Sequence, residues 1–195
     1  MHQEDNRKKQ LIKLIMKYIF DFDDVLFNNT AQFKKHMFST LAEAGVEEHE
    51  ARAYYLEVRE KEFSLKNFIN ILFDRNGINK SEINEVYKKI MTECSKFVNT
   101  SLIDKVKKIG KENCYIITNG EQEFNSDKIK YSSIGDLFKE IYIVPGSKKE
   151  IVEKICAQNK NEKVIFIDDK QKFIEDIDLA KCPNLKTVLF PLESF

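Results

Sequence analysis

The chain has 195 residues, and its 32 lysines and arginines balance its 32 aspartates and glutamates, so its formal net charge at pH 7 is zero. This balance gives no overall field that would attract nucleic acid or an anionic membrane, and we expect neither as a partner. Hydrophobic residues make up 42% of the sequence, which allows one large domain, or one domain with an insert, to bury a substantial core.

The four cysteines are scattered and include no Cys-x-x-Cys pair, so they do not form a zinc-binding pattern. We predict that they are reduced, buried thiols and that the protein is cytoplasmic. In residues 11–16 an apolar run is interrupted by Lys13 and followed by Lys17, which makes it too short for a secretory signal or a membrane span. We expect this run to pack beside the first strand.

Residues 17–20 form a β-prone run that ends in three acids, Asp21, Asp23 and Asp24. This pattern predicts a buried strand that delivers carboxylates to the carboxyl edge of a sheet, the edge at which open α/β sheets bind their ligands. Residues 28–30 then offer side chains that can cap a helix.

Helical patterns dominate from residue 31 to residue 98, where no convincing strand appears. Apolar residues recur at spacings of three and four in segments 31–44, 64–75 and 80–98, as in amphipathic helices, and a highly charged segment, 47–63, lies between the first two. We expect Gly45 to end the first helix and Asn76-Gly77 to end the helix of segment 64–75.

The second half of the chain alternates helices and strands. Helices are predicted at 101–109, 126–137, 148–158 and 172–181, and strands at 114–117, 141–144, 164–167 and 187–190. Such alternation indicates a parallel sheet with helices on both faces. We therefore predict an α/β fold, with a Rossmann-like three-layer core of residues 1–30 and 99–195 and an inserted α-helical cap domain of residues 31–98.

Polar side chains follow the predicted strands at positions that one sheet edge would bring together. They are Asp21 and Asp23 after the first strand, Thr118 and Asn119 after the second, Lys148 and Lys149 after the third, and Asp168 and Asp169 after the fourth. Carboxylates from two strands suit Mg²⁺, which usually keeps several waters and a substrate phosphate. A carboxylate can also attack phosphorus, and a second carboxylate two residues later can act as acid and base.

These residues resemble the four motifs of the haloacid dehalogenase-like hydrolase superfamily, in order. The motifs are the apolar strand with Asp21-x-Asp23-x-Val25, the apolar-Thr118-Asn119 turn, the lysine near 148 and the apolar-Asp168-Asp169 end. The resemblance covers about residues 17–190. Thr118-Asn119-Gly120 followed by Phe124, Lys128 and Ile129, with a helical cap of the C1 type after the first motif, is similar to the phosphoglycolate phosphatase and β-phosphoglucomutase-like branch.

The resemblance implies separate roles for the first two acids. Asp21 would be the nucleophile and, through its other oxygen, a ligand of Mg²⁺. Asp23 would protonate the leaving alcohol and then deprotonate the hydrolytic water, while its backbone carbonyl contacts the metal. Asp24 is expected to be a structural or surface acid, and Phe22 and Phe27 are expected to be wall or core residues.

The later motifs imply the remaining site residues. Thr118 would bind a phosphoryl oxygen with help from Asn119, and Lys148, or alternatively Lys149, would neutralise charge on Asp21 and the phosphoryl group. Asp169 would be the main Mg²⁺ carboxylate of the last motif, and Asp168 a further ligand or the group that orients a metal-bound water. Many relatives carry a polar or acidic residue four positions after Asp169, where this chain has Phe173; Asp176 is the candidate to replace it.

The resemblance implies a Mg²⁺-dependent phosphatase whose substrate is a small-molecule phosphate ester. The second acid, Asp23, argues against a dehalogenase, where it is usually absent, and against transport ATPases, which have threonine there. A phosphosugar mutase, a phospho-acceptor signalling module of the receiver type and a catalytically silent relative are the alternatives. The motif order counts against the signalling module. No motif in the cap names a substrate, and no feature indicates an oligomeric state.

Overall fold

The computed structural model describes residues 16–59 and 63–191. The apolar run expected to pack beside the first strand lies almost wholly outside the described residues. In the described part of the chain, none of the helices is both long enough and apolar enough to cross a bilayer.

A five-stranded parallel sheet forms the centre of the molecule. Its middle strand is β1 (Met16–Phe20), with β2 (Cys114–Asn119) and β3 (Glu140–Val144) on one side and β4 (Lys163–Asp168) and β5 (Leu185–Leu189) on the other. Every neighbouring pair is parallel, which confirms the predicted α/β fold. The chain changes direction across the sheet between β1 and β4, and this is the kind of switch point at which open α/β sheets bind ligands.

Successive residues of β1 belong to different cores because side chains of a strand point alternately to its two faces. Ile19 packs in a cluster with Val152, and Phe20 packs in a second cluster with Ile103. The helices that supply these clusters are α5 (Thr100–Ile109), α6 (Gln122–Tyr131), α7 (Lys149–Gln158) and α8 (Gln171–Glu175). Helices therefore cover the sheet on both faces.

A helical insertion connects β1 to β2, as the sequence predicts. Its helices are α1 (Thr30–Glu43), α2 (Glu48–Val58), α3 (Leu65–Asn76) and α4 (Ile83–Met91). Gly77 ends α3 as expected and adopts φ +63°, a left-handed conformation that glycine reaches without steric cost. The domain boundaries of 31 and 98 stay a prediction.

Three predicted helices differ from the structure. The segment expected to be helical over 80–98 forms α4 only over Ile83–Met91, with short 3-10 helices at Lys80–Glu82 and Cys94–Phe97. The other two differ for local reasons. The helix expected at 126–137 begins at Gln122, because the Glu121 carboxylate accepts hydrogen bonds from the backbone amides of Glu123 and Phe124. The helix expected at 172–181 ends at Glu175. Beyond it, the Asp178 side chain accepts a hydrogen bond from the amide of Ala180, a local bond that competes with a continued helix.

The insertion is joined to the sheet by hydrogen bonds and by aromatic packing. The amide of Asn29 donates to the carbonyl of Phe97 at 3.2 Å, and the amide of Asn99 donates to the carbonyl of Leu26 at 2.7 Å. The two connections to the insertion therefore run side by side. The buried ring of Phe27 packs edge-on against Phe33 at 5.4 Å and against Phe97 at 5.9 Å.

All four cysteines are buried and free, as the sequence predicts. Burial raises the pKa of the Cys94 and Cys114 thiols to about 12, so these side chains behave as small hydrophobic groups at neutral pH.

We expect Phe27→Ala to lower the free energy of unfolding by about 3–5 kcal/mol, because it removes a buried ring between the sheet and the insertion. Urea denaturation followed by circular dichroism measures this loss. The matched control is Leu56→Ala, at a side chain that is 64% exposed, and it should change stability by less than about 0.5 kcal/mol. Equal effects of the two substitutions would contradict the packing role of Phe27.

Candidate functional site

Three carboxylates meet at the switch point of the sheet. Asp21 directly follows β1, and Asp168 ends β4 with Asp169 next to it. Because Phe20 pairs with Ile167, Asp21 and Asp168 lie side by side, and the amide of Asp21 donates to the carbonyl of Ile167 at 2.9 Å. Asp21, Asp168 and Asp169 each offer an oxygen within 4.8 Å of the others. We call these three residues the carboxylate group.

A buried lysine bridges two members of the carboxylate group. The Lys148 ammonium lies 2.7 Å from Oδ1 of Asp21 and 2.6 Å from Oδ2 of Asp168, and all three side chains are almost fully buried. A buried charge is tolerated when it is paired and hydrogen-bonded. Lys148, rather than Lys149, therefore contacts the two aspartates, and Lys149 begins α7.

The carboxylate group is suited to a divalent cation. When all three carboxylates are ionised, as they would be around a cation, these carboxylates and one ammonium leave two negative charges uncompensated among the four groups. Oδ1 of Asp169 is buried and accepts no hydrogen bond from any residue that the structure describes. An all-oxygen donor set with an unused buried acceptor matches the preference of Mg²⁺ for oxygen ligands.

The pKa values of Asp21 and Asp169 reflect first their burial and then their charged neighbours. Burial, opposed by Lys148 and reinforced by Asp168, raises the pKa of Asp21 to about 8. Burial also raises the pKa of Asp169, against a lowering effect of Lys170. Both shifts mean that ionised carboxylates here need more positive charge than the described side chains supply.

Asp23 lies in a different environment from Asp21. The Lys128 ammonium of α6 donates to both carboxylate oxygens of Asp23 at 2.6 Å. Lys128 is itself buried, and its ammonium lies 4.7 Å from the ring centroid of Phe124 and 5.4 Å from that of Phe22. The side chain of Asp23 is thus held away from the carboxylate group.

The motif after the Thr118-Asn119 turn includes Lys128 without predicting a role for it, and no sequence pattern above identifies Lys170. The available signal for Lys128 was its place four residues after Phe124, on one face of the helix that follows the Thr118-Asn119 turn. Lys170 directly follows Asp169 in the chain. Its pKa is raised, because the attraction of Asp169, Asp21 and other nearby aspartates exceeds the lowering effect of burial.

Asp24 is held by local structure. Its backbone adopts φ +61°, its amide donates to the carbonyl of Phe27, and its carboxylate accepts a short hydrogen bond from the hydroxyl of Thr30 at the start of α1. It lies outside the carboxylate group. Phe22 and Phe27 are both buried in the core cluster.

Thr118 and Asn119 end β2 close to the loop that carries Lys148. Thr118 is buried. The side-chain amide of Asn119 donates to the carbonyls of Val144 at 3.2 Å and Gly146 at 2.7 Å. Asn119 therefore holds the loop between β3 and α7 in place.

Phe173 and Asp176 occupy the region where the last motif departs from its relatives. The Phe173 ring is buried, and the Lys148 ammonium lies 4.5 Å from its centroid. Asp176 is exposed and accepts a short hydrogen bond from the hydroxyl of Ser147. Within the described ranges, Asp176 is not a member of the carboxylate group.

A cavity of about 220 Å³ lies between the acidic turn after β1 and the first helices of the insertion. Asp23 and Lys128 line it from the core side, and Lys34 and Met37 of α1 line it from the insertion. A molecule in this cavity would contact Asp23, so a carboxylate lies beside a candidate binding space.

Comparisons with known proteins agree with this geometry. A family model described as haloacid dehalogenase-like hydrolase matches residues 18–190. No curated protein matches the chain.

Three solved structures share its fold. A protein assigned as a haloacid dehalogenase-like hydrolase, from Burkholderia xenovorans LB400, is 14% identical, with a TM-score of 0.63 over 89% of this chain and 81% of the other. A protein assigned as a β-phosphoglucomutase, from Thermotoga maritima, is 16% identical, with a TM-score of 0.57 over 92% and 88%. An enzyme from Bacteroides thetaiotaomicron, solved with magnesium and inorganic phosphate, is 13% identical, with a TM-score of 0.56 over 93% and 96%.

We expect Asp169→Asn to weaken Mg²⁺ binding by at least about tenfold, since even an outer-shell change typically costs that much. Isothermal titration calorimetry measures the affinity. The control is Asp24→Asn, which changes an acid of the neighbouring turn outside the carboxylate group, and asparagine tolerates its positive φ. Equal losses in both variants would place the metal elsewhere.

The raised pKa of Asp21 predicts a pH-dependent stability in the absence of metal. An unfolded aspartate titrates near pH 4, so between about pH 4 and pH 8 the folded protein holds a proton that the unfolded chain has lost. Stability should therefore fall as pH rises through this range and level off above it. Thermal unfolding in a chelator at pH 6 and pH 8 checks this. The fall should be smaller in Asp21→Asn, and an unchanged fall would contradict the role of Asp21.

Proposed function

The chain belongs to the family of haloacid dehalogenase-like hydrolases, and from this premise we propose that it is a Mg²⁺-dependent phosphatase of a small phosphate monoester. The observation that carries this proposal is that Asp21 and Asp23, two acids of the same turn, lie in different environments. Asp21 lies in the carboxylate group against Lys148, and Asp23 lies at the cavity against Lys128. The magnesium and phosphate bound by the relative from Bacteroides thetaiotaomicron support the same chemistry.

The carboxylate group would hold the cation. Asp21, Asp168 and Asp169 would be its side-chain ligands, with the backbone carbonyl of Asp23 as a further one. When bound, Mg²⁺ supplies positive charge that stabilises the phosphoryl oxygens during transfer.

Asp21 would act as the nucleophile. One of its carboxylate oxygens attacks phosphorus, the bond between phosphorus and the ester oxygen breaks, and an aspartyl-phosphate forms. Lys148 contacts Oδ1 of Asp21 at 2.7 Å, and the amide of Phe22 donates to the same oxygen at 2.7 Å. These two donors orient the carboxylate and offset negative charge that builds up beside it.

Asp23 would move the protons. In the first step it protonates the departing alkoxide. In the second step it removes a proton from a water that attacks phosphorus, the bond between phosphorus and the Asp21 oxygen breaks, and inorganic phosphate is released. Lys128 positions its carboxylate at the edge of the cavity that would receive the alcohol. Thr118 would bind a phosphoryl oxygen, and Asn119 would assist by holding the loop that carries Lys148.

The alternative functions fit less well. Dehalogenation releases halide and needs no acid at the position of Asp23. The receiver type of signalling module resembles flavodoxin in strand order, 2-1-3-4-5, and this sheet has the order 3-2-1-4-5 with a helical insertion after β1. A mutase would use the same aspartyl-phosphate and differ in the acceptor, which is a sugar hydroxyl in place of water.

We expect Asp21→Asn to abolish phosphatase activity, because the amide is not a nucleophile, and Asp23→Asn to slow hydrolysis of an alkyl phosphate by about two to four orders of magnitude. Release of inorganic phosphate in the presence of Mg²⁺ measures both effects. For p-nitrophenyl phosphate, whose leaving group departs without a proton, the first-step loss in Asp23→Asn should be smaller, which separates acid catalysis from a folding defect.

Asp136→Asn, at an exposed residue before β3, is the control and should retain activity. An active Asp21→Asn variant would refute the nucleophile. A panel of phosphorylated metabolites tests the wild-type protein, and no turnover of any member with Mg²⁺ present would favour a catalytically silent relative.

A further inference from the structure

Two of the four buried cysteines lie together on one face of the sheet. Cys156 is near the end of α7, and Cys182 lies in the segment between α8 and β5. Both belong to the core cluster that contains Ile19, whereas Cys94 and Cys114 belong to the cluster on the opposite face. The thiols of Cys156 and Cys182 share a hydrogen bond. The proposed phosphatase chemistry makes no use of this pair.

Two further contacts hold the segment of Cys182 against α7. The side-chain amide of Asn184 donates to the carbonyl of Cys156 at 3.4 Å. On the other side of Cys182 in the chain, the Lys181 ammonium pairs with the carboxylate of Glu153, a residue of α7, at 3.7 Å. The packing of this segment on α7 therefore places the two sulfurs together.

We propose that Cys156 and Cys182 form a modification site, at which a peroxide converts the two thiols into a reversible disulfide that stabilises the fold. Helix α7 begins at Lys149, beside the carboxylate group, and Cys156 lies near its other end. Cys182 precedes β5, which begins at Leu185. The bond would therefore form at the amino edge of the sheet, away from the carboxylate group.

The reaction consumes one molecule of hydrogen peroxide. The sulfur of Cys182 attacks one peroxide oxygen, the bond between the two oxygens breaks, and the thiol proton leaves with the released hydroxide as water, which gives a sulfenic acid. The sulfur of Cys156 then attacks the sulfur of Cys182, the bond between sulfur and oxygen breaks, and the second thiol proton leaves with that hydroxide as water. The two thiols lose two electrons and the peroxide gains them. A dithiol reductant reverses the change by thiol–disulfide exchange.

The hydrogen bond between the thiols gives them different parts in this reaction. Burial, together with this hydrogen bond, raises the pKa of Cys156 to about 12. Burial also raises the pKa of Cys182, but there the hydrogen bond has a lowering effect, as expected when Cys156 donates and Cys182 accepts. Because a thiolate is the nucleophile, Cys182 attacks the peroxide and Cys156 completes the disulfide.

Peroxide reaches Cys182 by local opening of the segment that carries it. Helix α8 has only five residues, and beyond it the backbone forms turns, in one of which the amide of Cys182 donates to the carbonyl of Leu179 at 3.2 Å. Leu179 itself is 58% exposed. Turn segments with exposed side chains open at a low cost in free energy. The same freedom lets the two sulfurs approach to the disulfide bond length of about 2 Å.

The disulfide would close a loop, residues 156–182, that contains β4 and the Asp168-Asp169 motif. A cross-link of this kind removes conformational freedom from the unfolded chain and so favours the folded one. We therefore expect oxidation to raise the midpoint of thermal unfolding by roughly 5–15 °C.

The test compares the full chain before and after treatment with hydrogen peroxide. The remaining thiols are alkylated in denaturant, and peptide mapping by mass spectrometry should then find Cys156 cross-linked to Cys182, with Cys94 and Cys114 alkylated. Circular dichroism should show the higher unfolding midpoint of the treated protein. Dithiothreitol should remove both the cross-link and the increase.

Cysteine variants then assign the effect to this pair. Cys156→Ala and Cys182→Ala should each abolish the cross-link and the rise in midpoint, whereas the matched control, a double variant with Cys94→Ala and Cys114→Ala, should keep both. Dimedone, which traps sulfenic acids, should label Cys182 in Cys156→Ala and should not label Cys156 in Cys182→Ala. Because each rise compares the oxidised and reduced forms of one variant, a general loss of stability does not alter it.

Recovery of Cys156 and Cys182 as alkylated thiols after peroxide treatment, or as sulfonic acids without a cross-link, would overturn the proposal. A cross-link that leaves the unfolding midpoint unchanged would refute the stabilising effect. Dimedone labelling of Cys156 in Cys182→Ala, without labelling of Cys182 in Cys156→Ala, would refute the assignment of Cys182 as the thiol that attacks peroxide.

Discussion

The contact on which the site depends is the buried ammonium of Lys148 between Asp21 and Asp168. The three groups come from separate parts of the chain, namely the end of β1, the loop after β3 and the end of β4. Burying any one of these charges without the others would cost several kcal/mol. Their mutual pairing therefore fixes the carboxyl edge of the sheet in one arrangement, and Asp169 is held beside it as the third member of the carboxylate group.

Helix α6 connects this edge to the helical insertion. Towards the insertion, Asp127 accepts a hydrogen bond from the hydroxyl of Tyr87 at 2.6 Å, Glu123 pairs with Lys66 at 2.5 Å, and Phe124 packs against Phe63 at 5.5 Å. Towards the acidic turn, Lys128 of the same helix holds Asp23. About two turns of one helix therefore hold both the Asp23 carboxylate and the contacts that place the insertion. The cavity wall and Asp23 have a common support.

Much of the fold could be predicted because it follows from local patterns. Apolar runs of four or five residues with helices between them indicated the parallel sheet, and helical spacing without strands indicated the insertion. Two of the errors occurred at a helix boundary beside a side chain that makes a local hydrogen bond. The Glu121 cap moves the start of α6 to Gln122, and the local hydrogen bond of Asp178 follows a helix that ends at Glu175. The spacing of apolar residues along a helix carries no information about such single side-chain hydrogen bonds.

The sequence by itself determined the order of the motifs, the acids at the ends of β1 and β4 and the membership of the family. These features depend on local patterns, because a residue that directly follows a buried parallel strand lies at the carboxyl edge of the sheet. Only the tertiary structure decided which lysine reaches which acid. Lys148 rather than Lys149 contacts the carboxylate group, because Lys148 precedes the first residue of α7 and is buried against Asp168. Lys128 meets Asp23 across 105 residues of chain, and Lys34 faces the cavity without a carboxylate partner among the described residues. A charge pair between distant residues depends on how the helices pack on the sheet, and local sequence does not specify that packing.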